Sequence, residues 1–202
     1  MDISIKNTGW IEVICGSMFS GKSEELIRRI NRCRIARQKI QVFKPIRDTR
    51  FSKTDIVSHN DSRISSIPVQ DSQELYHLVE PETQVVGIDE AQFLDNGLVQ
   101  VCEQLANEGK RVILAGLDQD YRGVPFEPIP QLMAIAEYVT KTLAICVVCG
   151  NPANRSYRKV ASEERILLGA TDNYEPRCRK CYRLETEKHV EAEPPLFEEN
   201  KD

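Results

Sequence analysis

An α/β fold is what this sequence predicts: a mostly parallel sheet with helices on both faces, followed by a small C-terminal zinc ribbon. Three observations carry that expectation. Short branched apolar runs alternate with helical periods, a glycine loop of the form G-x-x-x-x-G-K-[ST] follows the first run, and two C-x-x-C pairs lie near the end. The glycine loop makes the main domain phosphate-loop NTPase-like.

In chain order, the first strand is WIEVIC, residues 10 to 15. It runs into Gly16, Ser17, Met18, Phe19, Ser20, Gly21, Lys22 and Ser23, and a helical period follows over residues 22 to 37. In a strand–loop–helix of this kind backbone N–H groups converge on phosphate oxygens, the lysine acts as a point charge and the last hydroxyl meets magnesium. Lys22 and Ser23 are therefore the expected phosphate and metal contacts. Residues 40 to 43, IQVF, form the next strand, and the polar stretch 44 to 66 is a long connection, either mobile or functional. VVGI, residues 85 to 88, is a strand that ends on Asp89 and Glu90. In phosphate-loop enzymes an aspartate there holds magnesium through water, and an adjacent glutamate is placed to take a proton from a hydroxyl nucleophile. The plainer alternative is a pair of acids capping the next helix. Helical patterns over 96 to 108 and 129 to 136 flank a strand at 111 to 115, and a last run spans 138 to 145. There is no internal repeat.

With 41% hydrophobic residues the chain can bury a full core, and its longest apolar runs are too short to span a bilayer. The N-terminus lacks the basic-then-apolar order of a secretory signal. A cytoplasmic protein with no membrane association is expected. A net charge of -4 and a pI near 5.6 argue against nonspecific nucleic-acid binding. The acidic stretch 184 to 202 reads as a solvated, disordered tail.

Cys146, Cys149, Cys178 and Cys181 form the two C-x-x-C knuckles, with 28 residues between the pairs. Four thiolates make a closed tetrahedral site, so structural Zn2+ is expected rather than catalytic metal. Cys15, Cys33 and Cys102 sit in apolar patterns and read as buried small hydrophobes. A deaminase reading fails because the H-x-E at His189 follows the cysteines. A GTPase reading lacks support because TKTL, residues 140 to 143, does not end in aspartate. Arg155, Arg158, Lys159, Arg177, Arg179, Lys180 and Arg183 cluster around the cysteines. They could meet a nucleic-acid backbone, solubilise the ribbon or meet nucleotide phosphates.

Taken together, GSMFSGKSEEL, KPIRDTRFS, IDEAQF, AGLDQDYRGVPF, the paired knuckles and LLGATDNYEPRC resemble the cytosolic thymidine kinase family, over residues 9 to about 183. The resemblance implies transfer of the γ-phosphate of ATP to the 5'-hydroxyl of thymidine, a requirement for Mg2+ and a homotetramer. It implies a kinase domain over residues 1 to 144 and a zinc-bearing lasso domain over 145 to 183. Gly16 to Ser23 then match the ATP loop, with Asp48, Arg50, Asp89 and Gln92 on the same ATP and magnesium side, and Glu90 matches the proton acceptor. Met18, Phe93, Leu117, Tyr121 and Phe126 match the apolar wall around thymine, while Phe19 reads as packing. Ser156, Arg165, Ile166, Leu167, Leu168, Gly169 and Tyr174 fall around the nucleoside. On the residues alone Tyr174 could equally be a turn into the knuckle. The family commonly has threonine at Ser156 and phenylalanine at Tyr121, which bears on fine substrate preference. Two rivals follow from the same residues: a zinc-ribbon ATPase acting on nucleic acid, and a kinase of this architecture acting on another deoxynucleoside.

Overall fold

β-Branched and aliphatic residues favour the extended chain, and here they fill the inner strands of a sheet that are buried on both faces. The structure, a computed structural model, describes residues 8 to 46, 55 to 57, 63 to 160 and 173 to 183. Asp48, Arg50, the run Arg165, Ile166, Leu167, Leu168 and Gly169, and the stretch 184 to 202 lie outside the described residues. The sheet is built from β1 (Trp10–Gly16), β2 (Ile40–Pro45), β5 (Ile67–Val69), β6 (Val85–Ile88), β7 (Arg111–Gly116) and β8 (Tyr138–Thr142), in the order β5-β2-β6-β7-β1-β8. Every neighbouring pair is parallel. Helix α1 (Lys22–Ile35) covers one face, and α2 (Ser72–Leu78), α3 (Leu98–Asn107) and α4 (Ile129–Ile135) cover the other.

The two-residue period of a strand explains this division. Along β1, Ile14 joins Leu26, Ile27 and Ile30 of α1, whereas Val13 and Cys15 join Leu98, Leu105, Ile129 and Leu132. Gly87 lets α1 come close, since a Cβ there would lie 3.0 Å from the Ile30 Cδ1. Glu12 builds a charge into this core. Glu12 of β1, 4% exposed, accepts from Trp10 Nε1 at 2.7 Å, Arg29 Nη1 at 2.6 Å and Arg111 Nε at 2.6 Å. Arg29 also donates to Thr140 Oγ1 at 2.9 Å. That network ties α1 to β1, β7 and β8. Burial works to raise the Glu12 pKa, but the bonds from Arg111, Trp10 and Arg29 outweigh it and hold the carboxyl below the usual range.

The structure differs from the sequence expectation in three places. The stretch expected as one long connection contains the hairpin of β3 (Asp55–Val57) and β4 (Arg63–Ser65), and β5 beyond it forms one edge of the sheet. Three-residue strands are too short to display alternation. Helix α2, capped by the Asp71 side chain on the Glu74 N–H at 2.8 Å, is likewise too short to show a period. The run 138 to 145 is two elements: β8 pairs with β1, whereas β9 (Ala144–Ile145) leaves the sheet to pair with β10 (Pro152–Ala153). A further two-stranded sheet, β11 (Arg155–Arg158) and β12 (Tyr174–Arg177), completes the ribbon. Among the described residues, no helix is long and apolar enough to cross a membrane.

Candidate active site

The glycine loop connects β1 to α1 at the carboxyl end of the sheet, where open α/β sheets bind ligands. Gly16 has φ 148° and a Cβ there would lie 2.3 Å from the Thr142 carbonyl oxygen, so the turn admits only glycine. The loop is tied to itself: Lys22 Nζ donates to the Ser17 carbonyl at 2.7 Å, as does Ser20 Oγ at 2.7 Å. Gly21 takes the position before α1 with φ 82°.

The carboxylate pair stands beside this loop. Ser23 Oγ donates to Asp89 Oδ2 at 3.1 Å, bringing together the two residues expected on the metal side. Glu90 follows in the left-handed region, φ 52° and ψ 39°, a strained conformation for a non-glycine residue. It precedes a 3₁₀ turn, Ala91–Phe93, but caps it with no side-chain bond, contrary to the plainer capping alternative. Its Oε2 instead accepts from Gln92 Nε2 at 2.5 Å, and Gln92 Oε1 accepts from the Leu117 N–H at 3.0 Å. Gln92 is buried and bridges the glutamate to the segment after β7.

That segment, residues 117 to 126, carries most of the expected apolar wall. Phe93 and Phe126 meet edge-on with ring centroids 6.1 Å apart. Buried Asp120 shapes the turn by accepting from the Arg122 and Val124 N–H groups, each at 3.0 Å. Asp118, also buried, pairs with Lys141 of β8 at 2.5 Å.

The ribbon is docked on both parts. Met18 N–H donates to Ser156 Oγ at 3.0 Å and Ser17 Oγ donates to the Ala153 carbonyl at 3.3 Å. Phe19, at φ 63°, packs against Ala144, Cys146, Ala153, Cys178 and Cys181. Packing is thus its role, in the ribbon's core rather than the sheet's. On the other side Arg155 Nη1 donates to Gln119 Oε1, Tyr182 Oη donates to the Tyr121 carbonyl at 2.6 Å, and Arg158 stacks on the Tyr121 ring. The arginines therefore divide. Arg155, Arg158 and Arg177 face aromatic rings, whereas Lys159, Arg179, Lys180 and Arg183 are exposed. The sequence pattern singles out neither Tyr182 nor the contact of Arg155 and Arg158 with the 117 to 126 segment. The only signal was the two-residue period of β11, which puts Ser156 and Arg158 on one buried face.

The sulfurs of Cys146, Cys149, Cys178 and Cys181 lie within 4.8 Å of one another. A zinc tetrahedron with Zn–S near 2.3 Å needs sulfurs about 3.8 Å apart, so the set can close on the ion with small shifts. Asn151 Nδ2 and the Cys181 N–H donate to the Cys149 and Cys178 sulfurs at 3.3 and 3.4 Å, bonds that suit thiolate ligands. The remaining cysteines are inert: burial pushes the Cys15 thiol up to about 11 and the Cys102 thiol up to about 12, and raises Cys33 as well.

The family model described as thymidine kinase matches residues 9–182. A thymidine kinase from Rhodothermus sp. (strain ITI 518) is 63% identical over 176 residues, covering 87% of this chain and 82% of that protein. One from Bacteroides fragilis (strain YCH46) is 57% identical over 177 residues, covering 88% of each. Among solved structures, the flagellar accessory protein FlaH from Methanocaldococcus jannaschii aligns with TM-score 0.50 at 11% identity, over 85% of this chain and 90% of that one. That last likeness concerns the fold alone.

Proposed function

This chain belongs to the thymidine kinase family, and from that premise we propose how its residues divide the work of moving the γ-phosphate of ATP to the 5'-hydroxyl of thymidine. The observation that carries the proposal is the chain of contacts from Ser23 through Asp89 and Glu90 to Gln92 and Leu117. These contacts support a reading in which a phosphate loop, a strand-end carboxylate pair and an apolar wall share the carboxyl end of the sheet. Phosphoryl transfer needs positioning and charge stabilisation more than covalent chemistry. The loop amides and Lys22 hold the donor phosphates, and Lys22 leaves the Ser17 carbonyl to do so. Ser23 and Asp89 would hold magnesium, which supplies positive charge to the phosphates. Glu90, held out of the helical conformation, takes the proton of the 5'-hydroxyl. Gln92 sets that carboxylate relative to Leu117.

The base sits between the 117 to 126 segment and the ribbon, with Met18, Phe93, Leu117, Tyr121, Phe126, Ser156 and Tyr174 around it. The described geometry supports this reading, because Ser156 joins the ribbon to Met18 and Tyr174 joins it to Tyr121 through Arg158. Asp48, Arg50 and residues 165 to 169 complete the site on the strength of the family pattern. The kinase domain extends over 1 to 144 and the lasso over 145 to 183, with the four cysteines holding structural zinc. Thiolates of this kind fit a reducing, cytoplasmic setting, and the family pattern supports a homotetramer.

The test is phosphoryl transfer from labelled ATP with magnesium, offering thymidine, deoxyuridine, deoxycytidine, deoxyadenosine and deoxyguanosine separately. Label on thymidine, weaker on deoxyuridine and absent from the others is the expected result. Label on none of them, with hydrolysis stimulated by DNA, would overturn it.

A further inference from the structure

A guanidinium carries its charge wherever it goes, so a buried one must be paired and hydrogen-bonded. Arg158, at the end of β11, is 7% exposed. Its Cζ lies 3.5 Å from the centroid of the Tyr121 ring and 5.3 Å from that of Tyr174, and its Nη2 donates to Tyr174 Oη at 2.7 Å. These rings come from separate parts of the chain, one after β7 in the kinase domain and one on β12 in the ribbon. Tyr121 is held from further sides: Arg122 Nε donates to its hydroxyl at 2.7 Å, and Tyr182 Oη reaches its carbonyl.

We propose that Arg158 is a positioning residue that sets the width and angle of the nucleoside pocket by locking Tyr121 to Tyr174. The inference rests on the reading that the base lies between these two walls. A flat cation stacked on one ring and bonded to the hydroxyl of the other fixes both distance and tilt. An ammonium is a point charge that can satisfy one of those demands but not both. Ser156, on the same face of β11, bonds the phosphate loop, so one strand sets the acceptor walls against the donor loop.

The experiment is thymidine and ATP binding with steady-state kinetics for Arg158→Met, Arg158→Lys, Tyr174→Phe, Arg158→Met combined with Tyr174→Phe, and Tyr121→Ala. All are measured well below their melting temperatures. Arg158→Met is expected to weaken thymidine binding and raise its KM about tenfold, the loss of a desolvated cation–π contact, with ATP binding changed by less than about twofold. Arg158→Lys should recover only part of that loss. Tyr174→Phe removes the hydroxyl that Arg158 reaches and should cost less, and the double variant should cost less than the two effects added. If Tyr121→Ala weakens thymidine binding and Arg158→Met does not, the role of Arg158 is overturned and the pocket stands. If Tyr121→Ala also leaves thymidine binding unchanged, the pocket reading itself falls. Parallel loss of ATP and thymidine binding with a lowered Tm in Arg158→Met would show a merely structural arginine and overturn the proposal.

Discussion

The proposed donor and acceptor sides of this site are built on different scales. The phosphate loop is one continuous piece of chain, and its internal bonds join residues as near as Ser17 and Ser20. The proposed acceptor wall draws Phe93, Tyr121, Phe126, Arg158 and Tyr174 from segments far apart in sequence. Phosphate is the same in every donor, so backbone amides around a glycine turn are enough to receive it. A base must be told from other bases by its edges, which takes groups arriving from several directions. Among the described residues, the ribbon that brings some of them has only two-stranded sheets, too small to hold themselves folded in water. Its cysteine cluster answers that need.

If the two sides are separable, removing the metal should divide them. Chelation is expected to release about one zinc per chain, melt the ribbon and abolish thymidine binding, because structural zinc contributes on the order of 10 kcal/mol to a small domain. ATP binding to the sheet should survive. Metal analysis with parallel titrations of both substrates checks this, and equal loss of both would join the two sides into one unit.

Glu90→Gln tests the junction between them. Binding of both substrates should persist while kcat falls by about 100-fold or more, the usual contribution of a placed base. Near-normal turnover in a rapid-quench assay would remove Glu90 from the mechanism.

Glu12 sharpens the contrast from beneath the loop. Glu12→Gln leaves Arg29 and Arg111 without their carboxylate and should cost about 3 kcal/mol of stability in urea unfolding, with thymidine KM unchanged. The same region sets the acid limit. Bonds from Arg28 hold the Glu25 carboxyl down to about 2, against its partial burial and with help from Arg29, and Glu12 is lowered too. The unfolded carboxyls titrate near about 4.3. Their contribution is therefore complete above that pH and is lost as pH falls toward about 2. Tm should drop across that window in scanning calorimetry, and Glu12→Gln should flatten the drop.

The smallest effect is expected at Ser156, where the two sides touch. Ser156→Ala removes one hydrogen bond to the Met18 amide and should raise KM for ATP and for thymidine by about threefold each. Ser156→Thr should restore both. A change in thymidine KM alone would place Ser156 on the acceptor side only.

The glycine loop, the strand ending on Asp89 and Glu90 and the paired cysteines were legible in the sequence, because each is a local pattern whose residue types have few other uses. The long buried strands were legible for the same reason: a continuous branched run has little choice but a covered parallel sheet. Strand β5, helix α2 and the break at Leu143 were not, since elements of a few residues complete no period and owe their form to what they pack against. Nor did the sequence distinguish Arg158 from the exposed Arg179, two arginines in one basic cluster. Which of them is buried depends on where Tyr121 and Tyr174 lie in space. Sequence alone thus determined the chemistry that neighbouring residues perform together. Only the tertiary structure decided which distant side chains meet, because a contact between them exists only once the sheet and the ribbon have brought them within reach.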